Sequence, residues 1–179
     1  MNQGLLVTGF GPFKGFPSNP SEHLARTCGE DNRIIDVSYG AADKFLRELN
    51  PESFETLLLM GAHGTATCFQ LELLAHNWAG GMKDICEETR AGVLRSAGSA
   101  IQAGTLWPSL PLSPILDSTQ ATLSFHPGSY LCNYIYYEAL CYFPRKRVGF
   151  LHVPRAQAMP LESQRDVLKT LLQLIRAIP

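Results

Sequence analysis

Three side chains in this sequence have the types that covalent hydrolysis needs: a thiol, an imidazole and a carboxylate. Cys132 lies in His126-Pro127-Gly128-Ser129-Tyr130-Leu131-Cys132-Asn133. The turn at Pro127-Gly128-Ser129 hands over to a helical pattern from Tyr130 to Phe143, which puts the cysteine in the first helical turn. Unpaired N–H groups and the helix dipole favour a thiolate there, and a thiolate is a nucleophile. A buried packing role competes with this reading. Cys132 shares a helix face with Ile135, Tyr136 and Ala139, and buried cysteines behave as small apolar residues. His152 closes the apolar run Val148-Gly149-Phe150-Leu151-His152-Val153-Pro154. Catalytic groups in parallel sheets gather at the carboxyl ends of strands, and histidine is the usual base beside a cysteine. A satisfied core histidine fits the same position. Glu72 sits in Phe69-Gln70-Leu71-Glu72-Leu73-Leu74-Ala75. A carboxylate buried there needs a partner, and an imidazolium whose tautomer it fixes is a good one. Simple strand alternation, with Glu72 turned to solvent, is the other reading. The residues alone leave a Cys/His/Glu triad open.

The elements that must position these groups are legible in the hydropathy pattern. Leu5 to Thr8, Ile34 to Val37, Thr56 to Gly61 and Arg147 to Val153 read as strands, and the continuous apolar run at 56–61 fits burial on both faces. Phe69 to His76 reads as one further strand, and Ala121 to Phe125 as another. Helices are expected from Pro20 to about Cys28, Ala41 to Leu49, Leu110 to Leu116, Tyr130 to Phe143 and Leu161 to Ile178. The last is amphipathic, with Leu168, Leu171, Leu172 and Ile175 at helical spacing. Residues 78–104 give no assignable pattern. Strands alternating with helices imply an α/β layered fold with a largely parallel sheet.

The chain has 179 residues, a length that suits one domain over 1–179 with one sizeable core. Its net charge of −1 argues against a broad electrostatic grip on nucleic acid or on an anionic membrane. The start, Met1-Asn2-Gln3-Gly4, lacks the basic region of a signal peptide, and no run approaches the length of a spanning helix. A cytoplasmic protein is expected. The five cysteines are odd in number with no Cys-x-x-Cys pair, and the five histidines are scattered, so neither a disulfide framework nor a structural metal is expected. The loop Gly9-Phe10-Gly11-Pro12-Phe13-Lys14-Gly15 follows a strand, but its spacing fits no phosphate-binding fingerprint. Phe10 and Phe13 on this loop either anchor in the core or line an apolar pocket.

Four segments resemble the pyroglutamyl peptidase I family. Thr8-Gly9-Phe10-Gly11-Pro12-Phe13, continuing to Asn19-Pro20-Ser21, is similar to its N-terminal signature. Gly61, Glu72, Ala75 and Asn77 match the segment carrying its glutamate, Gly128 to Asn133 the segment around its cysteine, and Gly149 to Pro154 the segment carrying its histidine. They occur in family order along essentially the whole chain. The resemblance implies a three-layer α/β/α sandwich with a largely parallel, mixed sheet, no cofactor, and a homo-oligomer, dimer or tetramer. It implies a cysteine exopeptidase that removes N-terminal pyroglutamyl residues from peptides, with Cys132, His152 and Glu72 as the triad. Phe10 and Phe13 would hold the pyrrolidone ring, Tyr130 and Leu131 would add to the wall, and Asn19 would hold polar groups of the substrate. Pyroglutamylated peptides are then the partners, with no nucleic acid and no membrane. The stretch Gly61-Ala62-His63-Gly64-Thr65-Ala66 departs from the family, which usually has Gln after the glycine and a Gly-Gly-Arg type run soon after. Met82-Lys83-Asp84-Ile85 departs likewise from an Arg-Ile-Pro-Asp-Asn-like run. A related amidase with altered acyl specificity, or a catalytically silent binding module on the same fold, are the alternatives.

Overall fold

A computed structural model describes residues 4–13, 17–117 and 120–179. The expected features at Met1-Asn2-Gln3 and at Lys14-Gly15 lie outside the described residues. In chain order the elements are β1 (Leu5–Phe10), α1 (Pro20–Thr27), β2 (Asp31–Ile35), α2 (Tyr39–Glu48), β3 (Thr56–Ala62), β4 (Phe69–Glu72), β5 (Leu74–His76), β6 (Ala79–Lys83), β7 (Thr89–Gly92), β8 (Ile101–Ala103), α3 (Ser113–Leu116), β9 (Ala121–Ser124), α4 (Leu131–Tyr142), β10 (Arg147–Val153) and α5 (Leu161–Arg176).

Six strands form the central sheet in the order β2-β1-β3-β10-β4-β9. All neighbours are parallel except β10 and β4, which run antiparallel. The sheet is therefore mixed and largely parallel, as expected. Its central strands are mostly apolar on both sides because helices cover both faces. Leu5, Val7, Leu58, Met60, Leu151 and Val153 pack with α1 and α5. Leu6, Leu57, Leu59, Val148 and Phe150 pack with α2 and α4. The three layers follow from this alternation.

Local chemistry sets the helix starts. Asn19 caps α1, with Pro20 at the first helical position where a missing N–H costs nothing. Ser38 caps α2 by accepting from Ala41 N. α5 buries one apolar stripe, whereas α4 is buried along nearly its whole surface. The expected strand 69–76 is two strands. Past Glu72 the chain leaves the main sheet: Leu73 N donates to Ser124 O at 2.7 Å, and Leu73 O accepts from Gly104 N at 2.8 Å. β5 then pairs with β8. Residues 79–92 form the β6–β7 hairpin. No helix among the described residues is long and apolar enough to cross a membrane.

Candidate active site

Alternation along β10 decides which side His152 faces. Phe150 belongs to the apolar cluster on the α4 side and Leu151 to the one on the α1/α5 side, so His152 turns toward α4. β4 obeys the same rule: Leu71 faces α1 and α5, and Glu72 faces α4. Glu72 therefore does alternate, but the face it turns to lies under a helix and not in solvent. It is 0% exposed, and His152 is 2% exposed. His152 Nδ1 donates to Glu72 Oε1 at 2.6 Å. Glu72 Oε2 is buried with no hydrogen-bond partner among the described residues. The carboxylate thus leans on the imidazole for its compensation.

Cys132 enters from above, as the second residue of α4. It is half-buried and reduced. Gly61, which pairs with His152 in the parallel β3–β10 ladder, makes room for it. A Cβ at position 61 would lie 2.8 Å from Cys132 Sγ and 3.0 Å from Phe150 Cζ. The thiol therefore rests almost on the backbone of β3, beside the His152 ring. Burial pulls the imidazole pKa down, but the Cys132 sulfur and then the Glu72 carboxylate outweigh it and push His152 up to about 9. The three groups that sequence separates by 60 and 20 positions meet on one face of the sheet.

The other expected residues divide into two groups. Phe10, at the end of β1, and Leu131, at the start of α4, are buried in the α4-side cluster, and Phe13, Tyr130 and Cys132 are half-buried against it. Tyr130 packs edge-on against Tyr39 at 6.0 Å, and its hydroxyl donates to Lys83 O at 3.1 Å. Burial, helped by Tyr39, Asp84 and Cys132, pushes Tyr130 up to about 12. Asn19 is engaged inside its own loop. Its Nδ2 donates to Gly11 O at 2.9 Å, and its Oδ1 accepts from Ser21 N and Ser21 Oγ. Ser21 Oγ in turn accepts from Phe10 N at 3.0 Å. In this arrangement Asn19 fixes the chain just past Phe10.

Several residues around these groups receive no role from the sequence. Asn133, beside the cysteine, accepts from His76 N and donates to His76 O and Trp78 O, each at 2.8 Å. It ties α4 to the strand leaving Glu72. Asn77 holds Arg95 N and O. His63 packs edge-on against His152 with ring centres 5.0 Å apart. Burial and then His152 lower its pKa, partly offset by Glu72. In the sequence, Asn133 closes the segment around the cysteine and Asn77 that around the glutamate, whereas His63 is hinted at only by its closeness to Gly61. Among the described residues no group of three or more His, Cys, Asp or Glu could hold a metal ion.

A profile of the family described as pyroglutamyl peptidase matches residues 3–167. The chain is 27% identical over 175 residues to a pyrrolidone-carboxylate peptidase of Thermococcus litoralis, covering 84% of this chain and 76% of that one. It is 24% identical over 167 residues to that of Lactobacillus helveticus, covering 84% and 82%. The solved structure of pyroglutamyl peptidase I from Bacillus amyloliquefaciens superposes with a TM-score of 0.86 at 19% identity, covering 99% of this chain and 96% of that one. The pyrrolidone carboxyl peptidase of Thermococcus litoralis superposes at 0.84 and 22% identity, covering 96% and 92%. The chain belongs to the pyroglutamyl peptidase family of cysteine peptidases.

Proposed function

We propose that the protein removes an N-terminal pyroglutamyl residue from peptides through Cys132, His152 and Glu72. The observation that carries this reading is the convergence on one sheet face: a thiol at a helix start, held over Gly61, beside an imidazole whose Nδ1 is 2.6 Å from a buried carboxylate. The Cys132 thiolate attacks the pyroglutamyl carbonyl and forms a tetrahedral oxyanion, for which backbone N–H groups at the start of α4 are the proposed donors. With Nδ1 engaged by Glu72, His152 uses Nε2 to protonate the departing amine. It then takes a proton from water as that water attacks the thioester, releasing pyroglutamate and restoring the thiol. Glu72 fixes the tautomer and stabilises the imidazolium. The chemistry runs on these side chains and water, with no cofactor in the scheme.

Phe10, Phe13, Tyr130 and Leu131 supply an apolar wall suited to a small uncharged lactam. Asn19, which holds the chain just past Phe10, helps to hold the substrate's polar groups. The working partners are pyroglutamylated peptides, with no role for nucleic acid or membrane, in a cytoplasmic and oligomeric enzyme. A fluorogenic pyroglutamyl amide tests the reading. Hydrolysis is expected, and C132S should lower kcat by about 10^4-fold or more. Undiminished turnover by that variant would remove Cys132 from the mechanism. A second reading, an amidase for another small acyl group, draws on His63, whose ring lies against His152 beside Ala62. A panel of aminoacyl amides separates the two, since turnover of the pyroglutamyl substrate alone excludes it.

A further inference from the structure

The backbone carbonyl of Glu72 receives two side-chain hydrogen bonds, one from each helical layer. Trp107 Nε1 donates at 2.7 Å and Tyr136 OH donates at 2.8 Å. Trp107 starts the short 3-10 turn Trp107–Ser109 and packs with the α1/α5-side core, whereas Tyr136 stands in α4 on the opposite side. Both are essentially sealed from solvent, at 3% and 0% exposure. The bonded carbonyl lies at the end of β4, where the chain quits the sheet. A terminal strand residue is where a backbone is freest to swing, and here two donors pin it.

Tyr136 also reaches the other partner of the pair. Its ring lies 5.7 Å from that of Phe150, and the Phe150 ring lies 4.9 Å from that of His152. One side chain thus fixes Glu72 through its hydroxyl and backs His152 through an intervening ring. The backbone makes space for this. A Cβ at Gly104 would fall 2.0 Å from Tyr136 OH and 2.9 Å from Trp107 Cδ1, and one at Gly149 would fall 2.8 Å from Trp107 Cζ2. The two donors fill both lone pairs of the carbonyl oxygen from opposite sides, so the end of β4 is held against movement toward either layer.

We propose that Trp107 and Tyr136 are positioning residues for catalysis, a two-donor clamp that sets the distance and angle of the Glu72 carboxylate to His152. The proposal rests on the triad reading above. The clamp acts through Glu72, so its loss should matter only while Glu72 can do its work. The titratable groups facing His152 are Cys132 from α4, Glu72 from β4 and His63 just past β3. A loosened Glu72 weakens the hold on the imidazolium proton, so that proton should leave at lower pH.

The test is a double-mutant cycle of Tyr136→Phe with Glu72→Gln on the full chain. Two readouts are used: kcat on the pyroglutamyl amide, and the higher-pH inflection in Cys132 alkylation by iodoacetamide, which follows loss of the imidazolium proton. Y136F keeps the ring and removes one donor. It should lower kcat about tenfold in the native background and less than about twofold in the E72Q background, with KM little changed. Its alkylation inflection should move to lower pH, in the direction E72Q moves it. Equal losses in the two backgrounds, or an unmoved inflection, would show that the clamp is merely structural and overturn the proposal. An E72Q variant with full turnover would instead overturn the triad reading itself. That result differs from the clamp's own failure, in which E72Q is impaired and Y136F is not. Should Y136F fail to fold, W107F removes the other donor and enters the same cycle.

Discussion

The two faces of the central sheet are built from the same strands and do different work. Toward α1 and α5, β10 presents Leu151 and Val153, and β4 presents Phe69 and Leu71, all apolar and all packed. Toward α4 the same two strands present Phe150, His152 and Glu72. α5 meets its face with a stripe of leucines, while α4 meets the other with the half-buried Cys132 and the buried Asn133 and Tyr136. Polar groups cost too much to bury without partners, so the face proposed to react must be a connected network. The other face needs only volume.

The difference is open to direct attack. The largest expected effect on stability is from Leu168→Ala on α5. The side chain is 2% exposed, and its truncation should cost about 2–5 kcal/mol while leaving kcat per folded molecule within about twofold. Chemical denaturation paired with active-site titration reads both. Gly61→Ala should do the reverse. Its Cβ must displace the thiol from a position 2.8 Å away, and a misplacement of that kind costs about a hundredfold in kcat. Its loss of stability should stay at about 1–3 kcal/mol. A Leu168→Ala enzyme with a crippled kcat would break the comparison between the faces.

The pH dependence sharpens it further. His152 is raised from 6.5 to about 9. A raised folded-state pKa contributes stability that is fully present below the unfolded value and is lost as pH rises through the folded one. That contribution should therefore be intact below about pH 6.5 and fade through about pH 9. The alkaline limb of kcat/KM should fall in the same upper range. In His152→Ala the stability change over that window should shrink, as measured by thermal unfolding across pH. The smallest effect is expected on the outer surface of α1. The Arg26–Glu22 pair spans 2.9 Å in solvent, so Arg26→Ala should change stability by less than about 0.5 kcal/mol and leave kcat untouched.

Sequence announces the two faces unequally. α5 declares itself because half of it meets water and its leucines keep a helical period. α4 is buried nearly all round, so period alone says little about which side of it reacts. The ambiguity at Glu72 has the same origin. Alternation places it opposite Leu71, but only the helix overhead tells whether that side is wet. The region 78–104 is silent for another reason. Its hairpin is irregular, with Gly81 inside β6, Glu87 in the turn and Gly92 at the end of β7 all in the left-handed region, and it is held by distant groups. Asp84 accepts from Tyr39 N, Cys86 N and Glu88 N, and Asn77 holds Arg95. Such anchors leave no periodic trace. The single strand expected at 69–76 breaks at Leu73 because its partners there come from Ser124 and Gly104, which local pattern cannot supply.

The chain has two tryptophans, and the fold gives them opposite surroundings. Trp78 is 52% exposed, while Trp107 is sealed and bonded to the Glu72 carbonyl. Their emission should therefore separate into a red-shifted component that iodide quenches and a blue-shifted one that it does not reach. The second is a built-in optical probe one hydrogen bond from the carboxylate's own residue. Changes in its wavelength or lifetime would follow the Glu72 backbone in real time, without a label and without a substrate.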